Sequence, residues 1–427
     1  MSKSRVLNNA KWIIMCKVAQ SLLQLIIGML CARYLGPSNY GLINYAASVV
    51  SFVMPLMQLG LQSTLVQELI EAPEQEGKII GTSLLMSFLS SIACIFTVCT
   101  FVSVANFGET ETIIVCFLYS FTLLFQVFEL LQCWFQYKLI SKYPSIVMLC
   151  AYVVVSIYRI FLLVSSKSIF WFAVVNSLDY GIIGIALLII YKRISGNKFS
   201  FSFVLAKKIF SRSKFYILSA MMVTIFQNTD HIMLNFISGD AENGFYTAAI
   251  TCACVCQFIY TAIVDSMRPV ILSYKKTDTA QYEKNISRLY CVTVYLSLCQ
   301  ALGFTVFARL IVYILYGAEY MEAAPVLQVL VWYVAFAYMG SVRNIWILAE
   351  GKQSILWKIN LLGALMNIGI NILLIPSIGA IGAATASLIT QIFSNFILGF
   401  ILKPLRKNNQ LLLRGLKPKL LLDVIRK

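Results

Sequence analysis

The sequence predicts an all-α integral membrane protein of twelve transmembrane helices, arranged as two six-helix bundles around a central cavity. Three observations predict it. Apolar residues make up 59 % of the chain and charged residues 12 %, against roughly 45–50 % and 25 % in soluble domains. Mean hydropathy is +0.81. Runs of about 20 apolar residues, the length that crosses a bilayer, recur along the whole chain. This composition excludes a disordered chain, a nucleic-acid reader and an ordinary cytosolic enzyme.

The runs place spans at 12–34, 41–61, 80–105, 112–134, 144–164, 169–191, 215–237, 244–266, 289–309, 324–348, 355–376 and 380–402. The first is not a cleaved signal, because it carries Lys17, is long for a signal core and is followed at once by a second span. With the N-terminus in the cytoplasm, cytoplasmic segments hold 28 of the 34 Lys and Arg residues. Three precede the first span, one is Lys78, and two are Lys138 and Lys142. Seven lie in 192–214, five in 268–288, two in 350–358 and eight after Leu402. Basic residues collect on the cytoplasmic side of membrane proteins. The net charge of +16 therefore reads as topology, with no nucleic-acid partner. Outer loops are short and often acidic, as in NFGETE at 106–111 and GDAENG at 239–244. An even number of spans leaves both termini cytoplasmic.

The basic loop divides the chain into an N-terminal six-helix bundle at 1–196, a cytoplasmic linker at 197–214, a C-terminal bundle at 215–402 and a basic cytoplasmic tail at 403–427. YGLINYAAS at 40–48 echoes NGFYTAAIT at 243–251, aligning Gly41 with Gly244 and Ala46 with Ala249. Two bundles of like orientation are related by an axis along the membrane normal.

Little in the sequence suggests an enzyme. His231 is the one histidine, and no G-x-x-x-x-G-K-[ST] loop is present. There is no Asp-x-Asp pair for a metal-bound nucleotide sugar and no loop large enough for a catalytic domain. The twelve cysteines lie mostly in apolar runs. Cys252, Cys254 and Cys256 would splay to different sides of a helix. No metal and no cofactor is expected. A transporter driven by an ion gradient fits this inventory.

Polar residues stripe several spans at helical spacing. They include Lys17, Ser21, Gln24 and Gly28; Asn44, Ser48, Ser51 and Gln58; Gln227, Asp230, His231 and Asn235; and Asn360, Asn367 and Asn371. Such faces meet neighbouring helices or water, and both readings stand. An ionisable group in a span costs from roughly 2.5 kcal/mol upward, so it needs water, a partner or a purpose. Arg33 and Arg309 lie near outer ends, where they can snorkel. Lys17, Arg159 and Arg343 are deeper, and fixed cations of this kind suit an anion such as phosphate. The competing reading pairs them with Glu129 or Asp179. Asp230, beside His231 and Gln227, can take up a proton or hold sodium if no cationic side chain pairs with it.

The stretch ARYLGPSNYGLINYAASVVSFVMPLMQLGLQSTLVQEL at 32–69 resembles the first helical hairpin of the Wzx-type polysaccharide and O-antigen flippases. These belong to the multidrug/oligosaccharidyl-lipid/polysaccharide (MOP) exporter superfamily. LGP followed by YG, and the later LGL, carry that likeness. Asp230 in TDHIMLNF resembles the family's acidic position in the seventh helix, and NGFYTAA the turn that follows. ILYGAEYMEAAPVLQVL at 314–330 resembles the segment before the tenth helix. NIGINILLIPSIGAIGAATASLI at 367–389 is similar to the last two helices, with Asn367, Asn371, Pro376, Gly379, Gly382 and Ala383 in the pattern.

The resemblance implies a MOP/MATE-like, V-shaped pair of bundles around a cation-lined cavity. It implies alternating access that moves undecaprenyl-diphosphate-linked oligosaccharide from the inner to the outer leaflet of the cell membrane, for O-antigen, capsule or exopolysaccharide synthesis. A proton or sodium gradient would drive it by antiport, and a polysaccharide polymerase and a chain-length regulator would be partners. On that reading Lys17, Arg159, Arg343, Arg33, Arg309, Gln24 and Asn44 bind substrate, and Asp230, Asp179 and His231 couple the ion. The related lipid II flippases carry two further C-terminal helices. Here 25 residues with eight basic groups follow Leu402, which disfavours a peptidoglycan-precursor role and suits an amphipathic piece lying on the membrane. Two alternatives stand beside this reading. A drug exporter of the same superfamily would line its cavity with acidic and aromatic groups, and a membrane polysaccharide polymerase would need a large outer loop.

Overall fold

In the computed structural model of the chain, residues 3–195, 198–418 and 420 are described, with side chains from Met15 onward except those of Lys17, Ser63, Phe215, Ser219, Phe226 and Lys276. Every regular element among them is helical. The first nine are α1 (Lys3–Gln58), α2 (Leu65–Glu71), α3 (Glu76–Ala105), α4 (Thr110–Ser120), α5 (Thr122–Gln126), α6 (Leu131–Tyr137), α7 (Lys142–Val164), α8 (Ile169–Ser195) and α9 (Phe203–Ser238). There follow α10 (Asp240–Ala253), α11 (Gln257–Thr277), α12 (Thr279–Tyr316), α13 (Ala323–Ala349), α14 (Leu356–Ile392), α15 (Leu398–Ile401) and α16 (Arg406–Gly415). Among the described residues eight helical stretches are long and apolar enough to cross a membrane, and α10 with α11, bent by 48°, would make a ninth. The chain is an all-α, multi-pass membrane protein.

Two of these helices each hold two expected spans. α1 is broken at Gly36, whose φ of 72° suits a residue without Cβ, and Pro37 is preorganised to open the next helix. α14 breaks in the same way after Pro376, at Ile378 and Gly379 (φ 51°). The span expected at 112–134 is less regular. α5 passes through a 3-10 turn at Val127–Leu130 into α6, a tightening that long helices rarely contain without cause.

The expected linker is partly helical. Leu205, Ala206, Ile209 and Ser213 are buried at helical spacing, while Lys207, Lys208, Arg212 and Lys214 are exposed, so α9 starts well before the apolar run. Lys208 Nζ and Arg212 Nη1 reach Glu68, 1 % exposed, at 2.9 and 2.5 Å. Ser202 N–H donates to Thr82 Oγ1 at 3.1 Å.

The chain forms two compact units, Met1–Leu35 with Leu42–Asn228, and Gly36–Gly41 with Thr229–Lys427. In the first, Trp134 sits edge-on to Phe135 and Tyr191, with ring centroids 4.9 and 4.8 Å away. Its indole N–H donates to the buried Glu76 carboxylate at 2.5 Å, which Ser195 Oγ and Lys138 Nζ also meet at 2.8 and 2.7 Å. In the second, Trp346, Tyr282, Ile286, Leu405 and Leu412 share a core. The tail helix α16 docks on α12. Gly415 lies against Tyr290, whose hydroxyl donates to Asn408 Oδ1 at 2.9 Å, and Lys407 and Arg414 meet Glu283 at 2.8 and 3.3 Å.

Apolar helix faces gain little by leaving lipid for protein, so association inside a bilayer relies on small residues and polar pairs. The two glycines that the internal echo aligns do this for the second unit. A Cβ on Gly41 would overlap the Asp240 carbonyl, and one on Gly244 that of Pro37. The close approach lets Asn243 Nδ2 donate to the Gly41 carbonyl at 2.9 Å.

Candidate functional site

The second unit buries a carboxylate among neutral donors. Asp230 is on α9 and 5 % exposed. Its Oδ1 accepts from Asn371 Nδ2 at 2.7 Å. Its Oδ2 accepts from the Tyr246 hydroxyl at 2.7 Å and from Ser387 Oγ. Asn371 Nδ2 also donates to Asn367 Oδ1 at 3.1 Å, while the buried Asn371 Oδ1 has no hydrogen-bond partner. Among the described residues no Lys, Arg or His forms an ion pair with Asp230.

The break in α14 builds this arrangement. Asn367 and Asn371 lie one turn apart before the break, and Ser387 lies after it. The chain folds back tightly there, with Gly382 against the Leu374 carbonyl. The second arm begins at Ala380, whose N–H donates to Glu242 Oε2 at 2.6 Å. A carboxylate at a helix start satisfies an otherwise orphan donor and complements the helix dipole.

His231 faces the same helix, α10. Its Nδ1 lies 2.8 Å from Asn243 Oδ1. Asn243 Nδ2 is committed to the Gly41 carbonyl, which fixes the amide and makes His231 Nδ1 the protonated nitrogen. The imidazole sits edge-on to the Tyr246 ring at 5.1 Å. Tyr246 thus touches both the histidine and the carboxylate.

Also in the second unit, Arg343 on α13 is 5 % exposed. Its Nη1 donates to the Ser394 carbonyl at 2.7 Å, its Nη2 reaches Asn344 Oδ1 at 3.4 Å, and its Nε has no partner. Ser394 belongs to a π-helical turn, Phe393–Ile397, a distortion frequent at functional sites. Among the described residues no carboxylate pairs with Arg343. Arg309 on α12 is exposed.

In the first unit, Arg159 on α7 donates to Asn176 Oδ1 at 2.8 Å and Tyr152 Oη at 3.2 Å. It makes no ion pair with Asp179, whose buried Oδ1 has no hydrogen-bond partner. Glu129 accepts instead from Gln126 Nε2 at 3.3 Å. Arg33 and Gln24 on α1 are exposed, and Asn44 is half-buried with its carbonyl accepting from Ser48 Oγ at 2.8 Å. Lys17 lies in α1, and its side chain falls outside the described residues. Asp230, Asn367, Asn371 and His231 carried a polar-stripe signal in the sequence. Ser387 and Asn243 did not, because their roles depend on the hairpin in α14 and on the contact at Gly41.

Comparison with known proteins sets this geometry in a family and a fold. The family described as polysaccharide biosynthesis protein matches residues 6–275. An uncharacterised membrane protein of Methanocaldococcus jannaschii is 27 % identical over 241 residues, 53 % of this chain; the match spans about half of that relative, 46 % of its length. Among solved structures, the lipid II flippase MurJ in an inward closed conformation superposes with a TM-score of 0.71 at 17 % identity, over 97 % of this chain and 92 % of that one. An inward-facing multidrug resistance MATE transporter of the MOP superfamily gives 0.68 at 13 % identity, over 91 % and 94 %. A MOP-superfamily transporter from Pyrococcus furiosus, described as having a binding pocket of reversed polarity that suggests a different function, gives 0.62 at 13 %, over 95 % of each chain. At these identities the likeness shows a shared fold.

Proposed function

Since the chain belongs to the polysaccharide biosynthesis protein family, we propose that it is a flippase for an undecaprenyl-diphosphate-linked oligosaccharide, moving repeat units to the outer leaflet by cation-coupled alternating access. The observation that carries this reading is the Asp230 cluster, a buried carboxylate held, among the described residues, by neutral donors alone. Hydroxyls both donate and accept. Tyr246 and Ser387 can therefore serve a charged Asp230 as donors and a protonated one as acceptors, which is what a coupling group needs when it alternates between loaded and empty. A sodium ion would find oxygen ligands in the same place, Asn371 Oδ1 among them.

The diphosphate must shed hydration to cross, and fixed donors have to replace it. Arg343 is assigned that role, with Lys17 and Arg159 as the other deep cations and Arg33, Arg309, Gln24 and Asn44 along the path. His231 supports the coupling group, and Asp179 is its counterpart in the first unit. The setting is a cytoplasmic membrane with both termini inside, twelve spans, and a polymerase and chain-length regulator acting downstream.

Deleting the gene should cause lipid-linked repeat units to accumulate. Wild type should clear them, and Asp230→Asn should be made and inserted yet fail to. Full export by Asp230→Asn would refute the coupling role, with Asp179→Asn as the comparison. A deletion that leaves lipid-linked units unchanged but sensitises cells to cationic dyes would favour a drug exporter.

A further inference from the structure

The first unit contains a cavity of about 420 Å³, within the roughly 300–1,000 Å³ of small-molecule sites. Its polar wall is made of Gln58, Gln62, Gln126, Glu129, Gln132 and Gln136. The last four follow one another at spacings of three and four. The α5–α6 stretch, with its 3-10 turn at Val127–Leu130, therefore stacks them along one side. Gln58, Gln126 and Gln132 lie within the expected spans, where amides are costly unless something satisfies them. Their neighbours do so only in part. Gln126 is 4 % exposed. Its Nε2 donates to Glu129 Oε2 at 3.3 Å and lies 3.5 Å from Met54 Sδ, while its Oε1 is buried and has no hydrogen-bond partner.

We propose that this cavity is a saccharide subsite that takes the hydroxyl-bearing rings of an uncharged or amino sugar. The proposal rests on the flippase reading and deepens it by naming the class of glycan. A primary amide has two donors and an acceptor, and a hydroxyl one donor and two acceptor lone pairs. A row of amides therefore satisfies adjacent hydroxyls in either sense. Tyr180 and Met148, also on the wall, offer apolar surface to the C–H face of a ring. No basic side chain lines the cavity among the described residues, so it is unsuited to the diphosphate or to a uronic acid. Glu129 favours a sugar carrying an ammonium group. In the expected topology the 58–62 and 126–136 segments lie toward the cytoplasm, where a newly made glycan arrives.

The test is titration of the purified full-length chain with methyl glucoside, methyl glucosaminide, methyl glucuronide and tetraphenylphosphonium, read by saturation-transfer NMR with a thermal melt of every variant. The glucoside and glucosaminide should bind, and the glucuronide at least about tenfold more weakly. Gln126→Leu should weaken binding about tenfold, the loss of one amide's hydrogen bonds. The half-buried Gln132→Leu should do the same and covers a failure of Gln126→Leu to fold. Glu129→Gln should weaken the glucosaminide about tenfold and spare the glucoside. The subsite is refuted if neither glycoside binds, if the glucuronide binds as well as the glucoside, if both leucine variants bind like wild type, or if tetraphenylphosphonium binds in their place. Glycoside binding by a chain whose deletion causes no lipid-linked accumulation would refute the flippase reading and leave the subsite standing. Accumulation without glycoside binding would do the reverse.

Discussion

Replacing Arg343 by glutamine separates a cation that serves transport from one that serves the fold. Arg343 lies in α13, an apolar span, and has one good hydrogen bond, 2.7 Å to the Ser394 carbonyl, and a long one of 3.4 Å to Asn344. An arginine at the centre of a span costs about 2.5–3.5 kcal/mol on insertion scales, an upper bound for Arg343, which lies near the end of the expected 324–348 span. A hydrogen bond from a charged donor returns about 1.5–3 kcal/mol, and one from a neutral amide about 0.5–1.5. Glutamine can keep the bond to Ser394 in neutral form. The variant escapes the burial cost of the charge, loses about 1–1.5 kcal/mol of bonding and takes on the cost of a buried amide, about 1–3 kcal/mol where unpaired, so the terms roughly cancel and its stability should stay within about 1 kcal/mol of wild type. Arg343→Gln should therefore melt in detergent near the wild-type temperature, yet fail to complement a deletion strain. Arg343→Lys should retain part of the activity, because attraction survives while the planar fork is lost. Destabilisation of Arg343→Gln by more than about 1 kcal/mol would contradict this balance and make the arginine structural. Full complementation by a stable Arg343→Gln would remove it from the anion path.

Gly41→Ala drives a methyl group into the Asp240 carbonyl and should cost about 1–3 kcal/mol or more. Gly28→Ala, with nothing within 4 Å, should melt like wild type, and equal melting of the two variants would refute the close packing. Burial pushes the Glu350 carboxyl up, but the hydrogen bond and charge of Lys275, with Tyr282 and Lys352, outweigh it and hold the group below the ordinary carboxylate range. Its stabilising contribution is then complete above about pH 4.3 and is lost as pH falls through the lowered folded value. Wild type should lose melting temperature between about pH 5 and 3 more steeply than Glu350→Gln, and parallel curves would rule the contribution out.

The Gly36-Pro37 and Pro376–Gly379 motifs entered through the family resemblance, whereas apolar run length was legible in the sequence itself, because bilayer thickness acts locally. Half of the Asp230 cluster was legible for the same reason. Asp230, Asn367 and Asn371 are polar residues that an apolar span must explain. Ser387 is an ordinary small residue until the break in α14 turns it back toward Asp230. In the basic stretch the buried Leu205, Ala206 and Ile209 sit beside the exposed Lys207, Lys208 and Arg212, and the charge masked that apolar face. The tail is similar: Asn408 and Asn409 look solvated, yet both are buried where α16 meets its unit. The glutamine row from 126 to 136 carried a helical-spacing signal that the charges nearby overshadowed.

The segment Gly36–Gly41 belongs to the unit otherwise formed by Thr229–Lys427, and this orders the protein's birth. At about 5–20 residues per second of synthesis, six residues made early wait on the order of 10–40 s for Asp240 and Gly244 to emerge. The nascent first half therefore carries this segment, at the connection of its first two expected spans, without its packing partners until the second half arrives. Expression of Thr229–Lys427 alone would yield a unit missing one of its own pieces, and a fragment ending near residue 195 would carry that piece with nothing to receive it. Split versions of the protein should accordingly recover only when both fragments are made in the same cell.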